Sequence, residues 1–373
     1  MSGPQIEILA IAVCAAVACS VVGTFLVLRK LAMLSDAISH AILPGIVVAF
    51  FLTGDLNSPW LIIGAAATGV LTVALVEALA RTRRMKEDAA MGLVFPALFS
   101  IGIILISRYA GNVHLDVDAV LLGELAFAPF DRVILGGSDV GPRALWVMGV
   151  IMLVVVGSVT LFFKELKLAT FDAGLAASLG LAPAVIHYGL MTLVSVTAVG
   201  AFDAVGLILV VALMVGPPAA AYLLVDRLKT MILLASALGA VSASIGFWIA
   251  HLLDASIAGG IAVGVGIVFL VTFILAPRRG LAAVSRRRRR QRWEFARVML
   301  TIHLAHHEGE PDEIEESRVE HLQGKHVGWS RDFTDRVVAS AIENHMVTLD
   351  DGRLRLTPEG RTAAGRELSH EGS

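Results

Sequence analysis

Cysteine is nearly missing from this chain. Its 373 residues hold two, Cys14 and Cys19, both in the first apolar run. Thiols so few and so placed suggest neither a disulfide framework nor a thiolate metal cluster. Charge is scarce as well: Asp, Glu, Lys and Arg make up 17% of the residues, against 56% hydrophobic. With a mean hydropathy of +0.77, that balance excludes an ordinary soluble domain. No Gly-x-x-x-x-Gly-Lys-Ser/Thr loop occurs, so the chain is not expected to hydrolyse ATP itself. His-Glu-x-x-His and Gly-x-Ser-x-Gly are missing too, which leaves an intramembrane metalloprotease or a hydrolase unsupported. The first apolar run has no basic leader and no obvious cleavage site after it, so it is expected to be kept as a helix.

What the chain has is long apolar runs. A helix needs about 20 apolar residues to cross the bilayer core. Nine stretches qualify: 6–28, 31–52, 59–80, 89–107, 144–163, 183–202, 204–224, 230–252 and 257–276. Residues 113–135 are less apolar, and a loop, a re-entrant piece or a short tilted helix all fit them. The 35 glycines read as helix-packing positions. Basic residues gather at Arg29-Lys30, Arg81 to Lys86, Lys164/Lys167, Arg227/Lys229 and Arg278-Arg279. If the spans alternate, all five groups share one side, which is then the cytoplasm, with the N-terminus outside and the C-terminus inside.

The stretch Met33 to Phe50, MLSDAISHAILPGIVVAF, is the most informative. Asp36 and His40 are four residues apart, hence on one helix face, and both can hold a divalent cation. Pro44 and Gly45 follow, so a bend or loosening is expected just beyond the pair. A charge inside a membrane segment costs several kcal/mol and is kept for a reason. A cation site or gate is one reading; an inert hydrogen-bonded cluster between helices is the other. Asp36 lies only about 9 Å of helix rise beyond Lys30. That is nearer the cytoplasmic side than an outer gate should be, so either the first turn is irregular or the site is deep.

SDAISHAILPGIVVAF resembles the signature of the metal-type ABC permeases, the membrane subunits of ATP-driven manganese, zinc and iron importers. AVGLILVVALMVGPPAAAYLL at 204–224 is a second match, and with the hydropathy pattern the resemblance covers roughly residues 5–277. It implies a pathway formed by two permease subunits, identical or mixed, two ABC ATPase subunits that power it, and an extracytoplasmic metal-binding protein that delivers the ion. No cofactor is implied beyond the transported Mn, Zn or Fe(II). Oxygen and imidazole donors without thiolate suit those metals and argue against copper(I). Permeases with a repressor-like tail resemble manganese systems most, which favours manganese.

Four further stretches carry signals. In KELKLATFDAGLAASLGLA, 164–182, Asp172 is a good N-cap and Gly180 a stop, so a short helix is expected at 173–179. The segment Phe171, Asp172, Ala173, Gly174, Leu175, Leu179 and Gly180 is similar to the ATPase-docking helix of the family; an ordinary interfacial helix is the plainer reading. VLLGELA at 120–126 resembles the family's outer-pore pattern. There Glu124 is a third ligand or gate carboxylate, or else, with Asn112, His114, Asp116 and Asp118, part of a solvated acidic loop. Asp203 at the outer end of the seventh run joins the cation path or caps its helix. Gly216, Pro217 and Pro218 are expected to break that helix, for gating or as a packing kink. His187 and His251, near span ends, read as interfacial.

After Pro277 the composition changes. The basic run to Arg292 suits anionic lipid. WEFARVMLTIHLAHH, Ser317–Leu322 and Thr334–Asn344 read as helices, and MVTLDDGRLRLTPEGR as a hairpin around Asp-Gly. That order is the order of a winged helix, and RLRLTPEGRTAA resembles winged-helix regulators, metal-dependent repressors among them. Asp332, Asp335 and Glu343 stand against Arg331 and Arg336 where a recognition helix would fall, so DNA contact is not expected. His303, His306 and His307, with Glu308 and Glu310, form either a metal-sensing cluster or a plain exposed face.

The sequence therefore describes an all-α polytopic membrane protein of about nine transmembrane helices, residues 1–280, in a bacterial plasma membrane. A basic juxtamembrane linker, 281–292, and a small α+β winged-helix-like cytoplasmic domain, 293–373, follow. Three alternatives stay open. A gradient-driven secondary metal transporter would work without an ATPase. A vitamin or chelate ABC permease would not need Asp36 and His40. A membrane-tethered regulator would lose everything with its tail.

Overall fold

The computed structural model describes residues 3–54, 58, 60–109, 125–135, 138–322 and 329–370. Two compact units emerge, Met1–Gly280 and Leu281–Ser373. In the first, among the described residues, nine helices are long and apolar enough to cross a membrane. Spans 1 to 5 are Gly3–Leu28, Ala32–Thr53, Trp60–Arg81, Glu87–Arg108 and Arg143–Leu161. Spans 6 to 9 are Pro183–Val205, Leu207–Leu224, Leu228–Leu253 and Ile257–Leu275. Each matches one expected run to within a few residues, because an apolar run of this length leaves the backbone no partner in lipid but itself.

Span 1 is the hub. It is apolar all round, as a helix buried on every side must be, and it packs on spans 5, 6, 7 and 8. Ile11, Ala15, Cys19, Phe25 and Leu26 are fully buried there. Small residues let the other helices close. A side chain on Gly45 of span 2 would run into the Gly64 carbonyl and Thr68 of span 3. Gly260 and Gly264 of span 9 meet Gly246, Ala250 and the Ser242 carbonyl of span 8 in the same way, the close backbone approach that membrane helix pairs favour.

Span 7 corrects one expectation. Gly216, Pro217 and Pro218 do not break it; the helix runs from Leu207 to Leu224 through all three. Proline nitrogens cannot donate, so the Leu213 and Met214 carbonyls lose their ordinary partners. The freed Met214 carbonyl lies against Gly23 of span 1, where any side chain would strike it. Tight packing on both sides holds the prolines in helical geometry. The interruption falls instead at Gly206, with φ 84° and ψ 161°, between spans 6 and 7. Asp203 accordingly sits in the last turn of span 6 and does not open span 7, whose N-cap position is Gly206.

Residues 125–142, apart from Gly136 and Gly137, hold a one-turn helix, Ala128–Phe130, and an antiparallel hairpin, Arg132–Leu135 with Ser138–Pro142. Arg132 ties this hairpin to Glu7 of span 1 at 3.2 Å and pairs with Asp139. The Gly141 N–H and that guanidinium hold the Asp139 carboxyl below the usual carboxylate range.

In the second unit a helix, Leu281–His307, contains the basic run and continues through the helix expected from Trp293. Short helices Glu313–Glu316 and Val319–Leu322 follow, then Arg331–Glu343. Strands Val347–Asp350 and Arg353–Leu356 pair antiparallel. Asp351 and Gly352 between them have φ 50° and 76°, as a two-residue turn matched to strand twist requires. A last helix, Pro358–His370, was not expected. Its signal is nonetheless present: Thr357 caps it, accepting from Gly360 N at 3.0 Å, and proline takes the first helical position. Leu300, Val337, Val347 and Leu354 form the core.

Candidate functional site

Span 2 is two helices, Ala32–Ala41 and Leu43–Thr53, joined at Ile42. The bend expected just beyond the Asp36–His40 pair is thus found at Ile42, two residues before Pro44. Pro44 has no N–H to offer the His40 carbonyl four residues back, so the helix loosens there. Gly45 lies inside the second half and serves the contact with span 3. Before span 2, Lys30 takes a left-handed φ of 62° and the helix starts at once, so its first turn is regular. Asp36 is therefore about 6 Å, and His40 about 12 Å, along the axis from Ala32. Both stand in the half of the span nearer Arg29 and Lys30.

The structure brings Asp36 and His40 together. Asp36 Oδ1 and His40 Nε2 are 3.6 Å apart, with side chains 39% and 31% exposed. The His40 ring lies against Phe95 and Phe99 of span 4, centroids 5.6 and 6.1 Å away. The two neighbouring serines turn inward instead. Ser35 donates to the Ala32 carbonyl and Ser39 to the Ser35 carbonyl, at 2.9 and 2.8 Å. A tetrahedral ion with ligands at about 2.0–2.2 Å holds its donor atoms about 3.4 Å apart. The pair already has nearly that spacing.

The other expected site residues are elsewhere. Asp203 is exposed. Asp36, His40 and Asp203 do not form a three-ligand cluster among the described residues. Glu124, Asn112, His114, Asp116 and Asp118 lie outside the described residues. In the second unit His303 and His307 do converge, with Glu316, but His306 is not of that group. Its ring meets that of His307 edge-on instead, centroids 5.2 Å apart. Burial pushes the His303 imidazole below its ordinary range.

The loop after span 5 holds a helix that was not expected, Phe163–Phe171, and then the expected short one, Ala173–Ser178. Asp172 caps it, accepting from Leu175 N at 2.8 Å. Leu179 and Gly180 fall just beyond the helix, Gly180 with φ 81°. Phe171, Leu175 and Leu179 are 61%, 47% and 64% exposed, an open apolar tip.

Sequence reading missed the network behind that tip. Arg29, just after span 1, donates to Thr170 Oγ1 at 3.1 and 3.2 Å and lies 2.9 Å from His187 Nδ1. A guanidinium only donates, so Nδ1 accepts and the ring proton sits on Nε2. Nε2, which carries that proton, is 2.6 Å from Glu77 Oε1 of span 3. Tyr188 donates to Glu77 Oε2 at 3.0 Å and Arg81 at 3.3 Å. His187 is therefore no idle interfacial residue. One signal was available: Glu77 is an acid inside an apolar run.

Apolar spans, a donor pair turned out of one of them, and an exposed apolar-tipped helix on a loop between two others define a membrane-embedded transport permease. The chain belongs to the ABC 3 transport family, whose model matches residues 5–276. It is 44% identical over 362 residues to the zinc transport system membrane protein TroD of Treponema pallidum, covering 97% of this chain and 98% of that one. It is 45% identical over 274 residues to the manganese transport system membrane protein MntD of Bacillus subtilis, covering 74% and 92%. The solved structure of PsaBC from Streptococcus pneumoniae in complex with Fab aligns at a TM-score of 0.62 and 28% identity, over 75% of this chain and 94% of that one. Only 373 − 362 = 11 residues of this chain lie outside the treponemal alignment, so that alignment takes in most of the second unit as well. The chain is thus a multi-pass membrane protein of a bacterial transporter family, and a permease component like its relatives.

Proposed function

We propose that this chain is the membrane-spanning subunit of an ABC importer for a divalent first-row metal, and that Asp36 and His40 bind the ion on its way through. The observation that carries this is the 3.6 Å Asp36–His40 pair within an apolar span. Two donors do not complete a shell of four or more. Both side chains are about a third open in the isolated chain, so a second permease subunit supplies the remaining donors. Two facing pairs give two carboxylates and two imidazoles.

The relative that aligns through both units is named for zinc, and the one aligned over 74% of this chain is named for manganese. The tail therefore does not select manganese. Nitrogen and oxygen donors suit both metals.

The basic loops face the cytoplasm, with the N-terminus outside. On that side the Ala173–Ser178 helix inserts its Phe171, Leu175 and Leu179 tip into a separate ATPase subunit. The Thr170–Arg29 contact passes the movement on to the turn that begins span 2. Asp203 and Glu124 stand on the outward approach and attract cations delivered by an external binding protein. The second unit is a winged-helix-like cytoplasmic domain, a reading that its helix order and Asp-Gly hairpin support.

The test is metal uptake by vesicles holding this chain, its ATPase and its partner permease, with the external protein added. ATP-dependent accumulation of manganese or zinc is expected. Uptake by this chain alone, driven by an ion gradient, would show a secondary transporter instead.

A further inference from the structure

The second unit carries a donor cluster that the transport reading does not use. His303 and His307 are on one face of the Leu281–His307 helix, at four-residue spacing. Glu316 comes from the next short helix, and His321 from the one after. One ligand atom from each of His303, His307 and Glu316 lies within 4.8 Å of the others. Glu316 Oε2 is 2.8 Å from His321 Nε2 and 3.4 Å from His303 Nε2. The His303 and His321 rings stack at 6.5 Å. The side chains of His303, Glu316 and His321 are 16–18% exposed, and that of His307 is 24% exposed.

We propose that the second unit binds one divalent transition-metal ion between His303, His307 and Glu316, with His321 as the fourth donor. His303 and His321 both reach Glu316 Oε2, and His307 reaches it only through the shared cluster while its own Nδ1 meets Asp312; gathering three imidazoles on one partly buried carboxylate is costly for structure alone. A metal ion uses all four groups at once. The donor atoms need to close by about 1 Å to reach tetrahedral spacing, which side-chain rotation supplies. Asp312 Oδ2 lies 3.1 Å from His307 Nδ1, leaving Nε2 as the donor and fixing the ring as outer carboxylates do around metal-bound histidines. A nitrogen-rich set of this kind binds zinc and cobalt more tightly than manganese. The ion would tie the end of the long helix to the 313–322 segment. This site does not depend on the transport site.

The experiment uses the full-length chain in detergent, stripped with chelator, carrying Asp36→Ala and His40→Ala so that the transport pair cannot contribute. Zinc chloride is titrated by calorimetry, and cobalt chloride by visible absorption. One equivalent of zinc is expected, with intense four-coordinate cobalt bands. His303→Ala and Glu316→Gln should each weaken zinc by more than the roughly 10- to 100-fold that loss of an outer hydrogen bond costs, and abolish the bands. Glu316→Gln keeps the shape of the side chain, so it decides the matter if His303→Ala misfolds. No zinc bound, or one equivalent bound with unchanged affinity in Glu316→Gln, would overturn the proposal. Manganese binding as tightly as zinc would overturn the assignment of the donor set.

Discussion

Asp36→Ala or His40→Ala alone stops metal uptake, lowering it by at least about 100-fold, while the protein still folds and assembles. The two halves of this result have separate causes. Transport fails because each residue supplies one of few donors to an ion that has lost its water, and loss even of an outer-shell group costs about 10- to 100-fold at metal sites. Folding survives because little rests on these side chains. Both are a third exposed, and the contacts found for them are with each other and with Phe95 and Phe99. Alanine is the better helix former, and removing a charge from an apolar segment spares part of the cost of keeping it there. The variants should therefore melt at or above the wild-type temperature. Gain of stability with loss of function marks a residue kept for function. Metal uptake at near wild-type rates in both variants would move the reading to a chelate or vitamin permease.

Arg29→Met separates ATP hydrolysis from transport. Methionine keeps much of the apolar stem but none of the donors to Thr170 and His187. Thr170 lies two residues before the cap of the docking helix, and Arg29 three residues before span 2. This link is a direct polar connection between the two. Its loss should lower uptake about tenfold, near 1.4 kcal/mol of coupling and within the usual range for linked sites. Hydrolysis by the assembled complex should stay within a factor of about three. Glu77 keeps Tyr188, Arg81 and His187 as partners, so a collapse of the cluster is not expected. Equal losses in uptake and hydrolysis would make Arg29 a structural residue only.

The spans were legible because lipid offers the backbone no partner, so length and apolarity decide. The Asp36–His40 pair was legible because four residues on a helix return to the same face. In the tail the same spacing joins His303 and His307, but it does not set His306 aside, since positions three apart are neighbours too. The loosening near Pro44 was legible because a proline denies a partner to the carbonyl four residues earlier, here that of His40, and the helix opens at Ile42. The unbroken course of span 7 was not, because the cost of Pro217 and Pro218 depends on packing against Gly23 of span 1, which lies outside their own stretch. Arg29 and His187 are 158 positions apart, and no local pattern joins them. Glu316 and His321 likewise meet the tail histidines only through the fold.

The most direct test of the transport site is electron–nuclear double resonance of Mn2+ held in the assembled complex. This chain would carry 15N-labelled histidine, and Glu316→Gln to silence the tail. A 15N coupling from this chain's coordinated imidazole is predicted, and it disappears in His40→Ala. A spectrum with no nitrogen coupling, or one unchanged by His40→Ala, would contradict the assignment of the ion to Asp36 and His40.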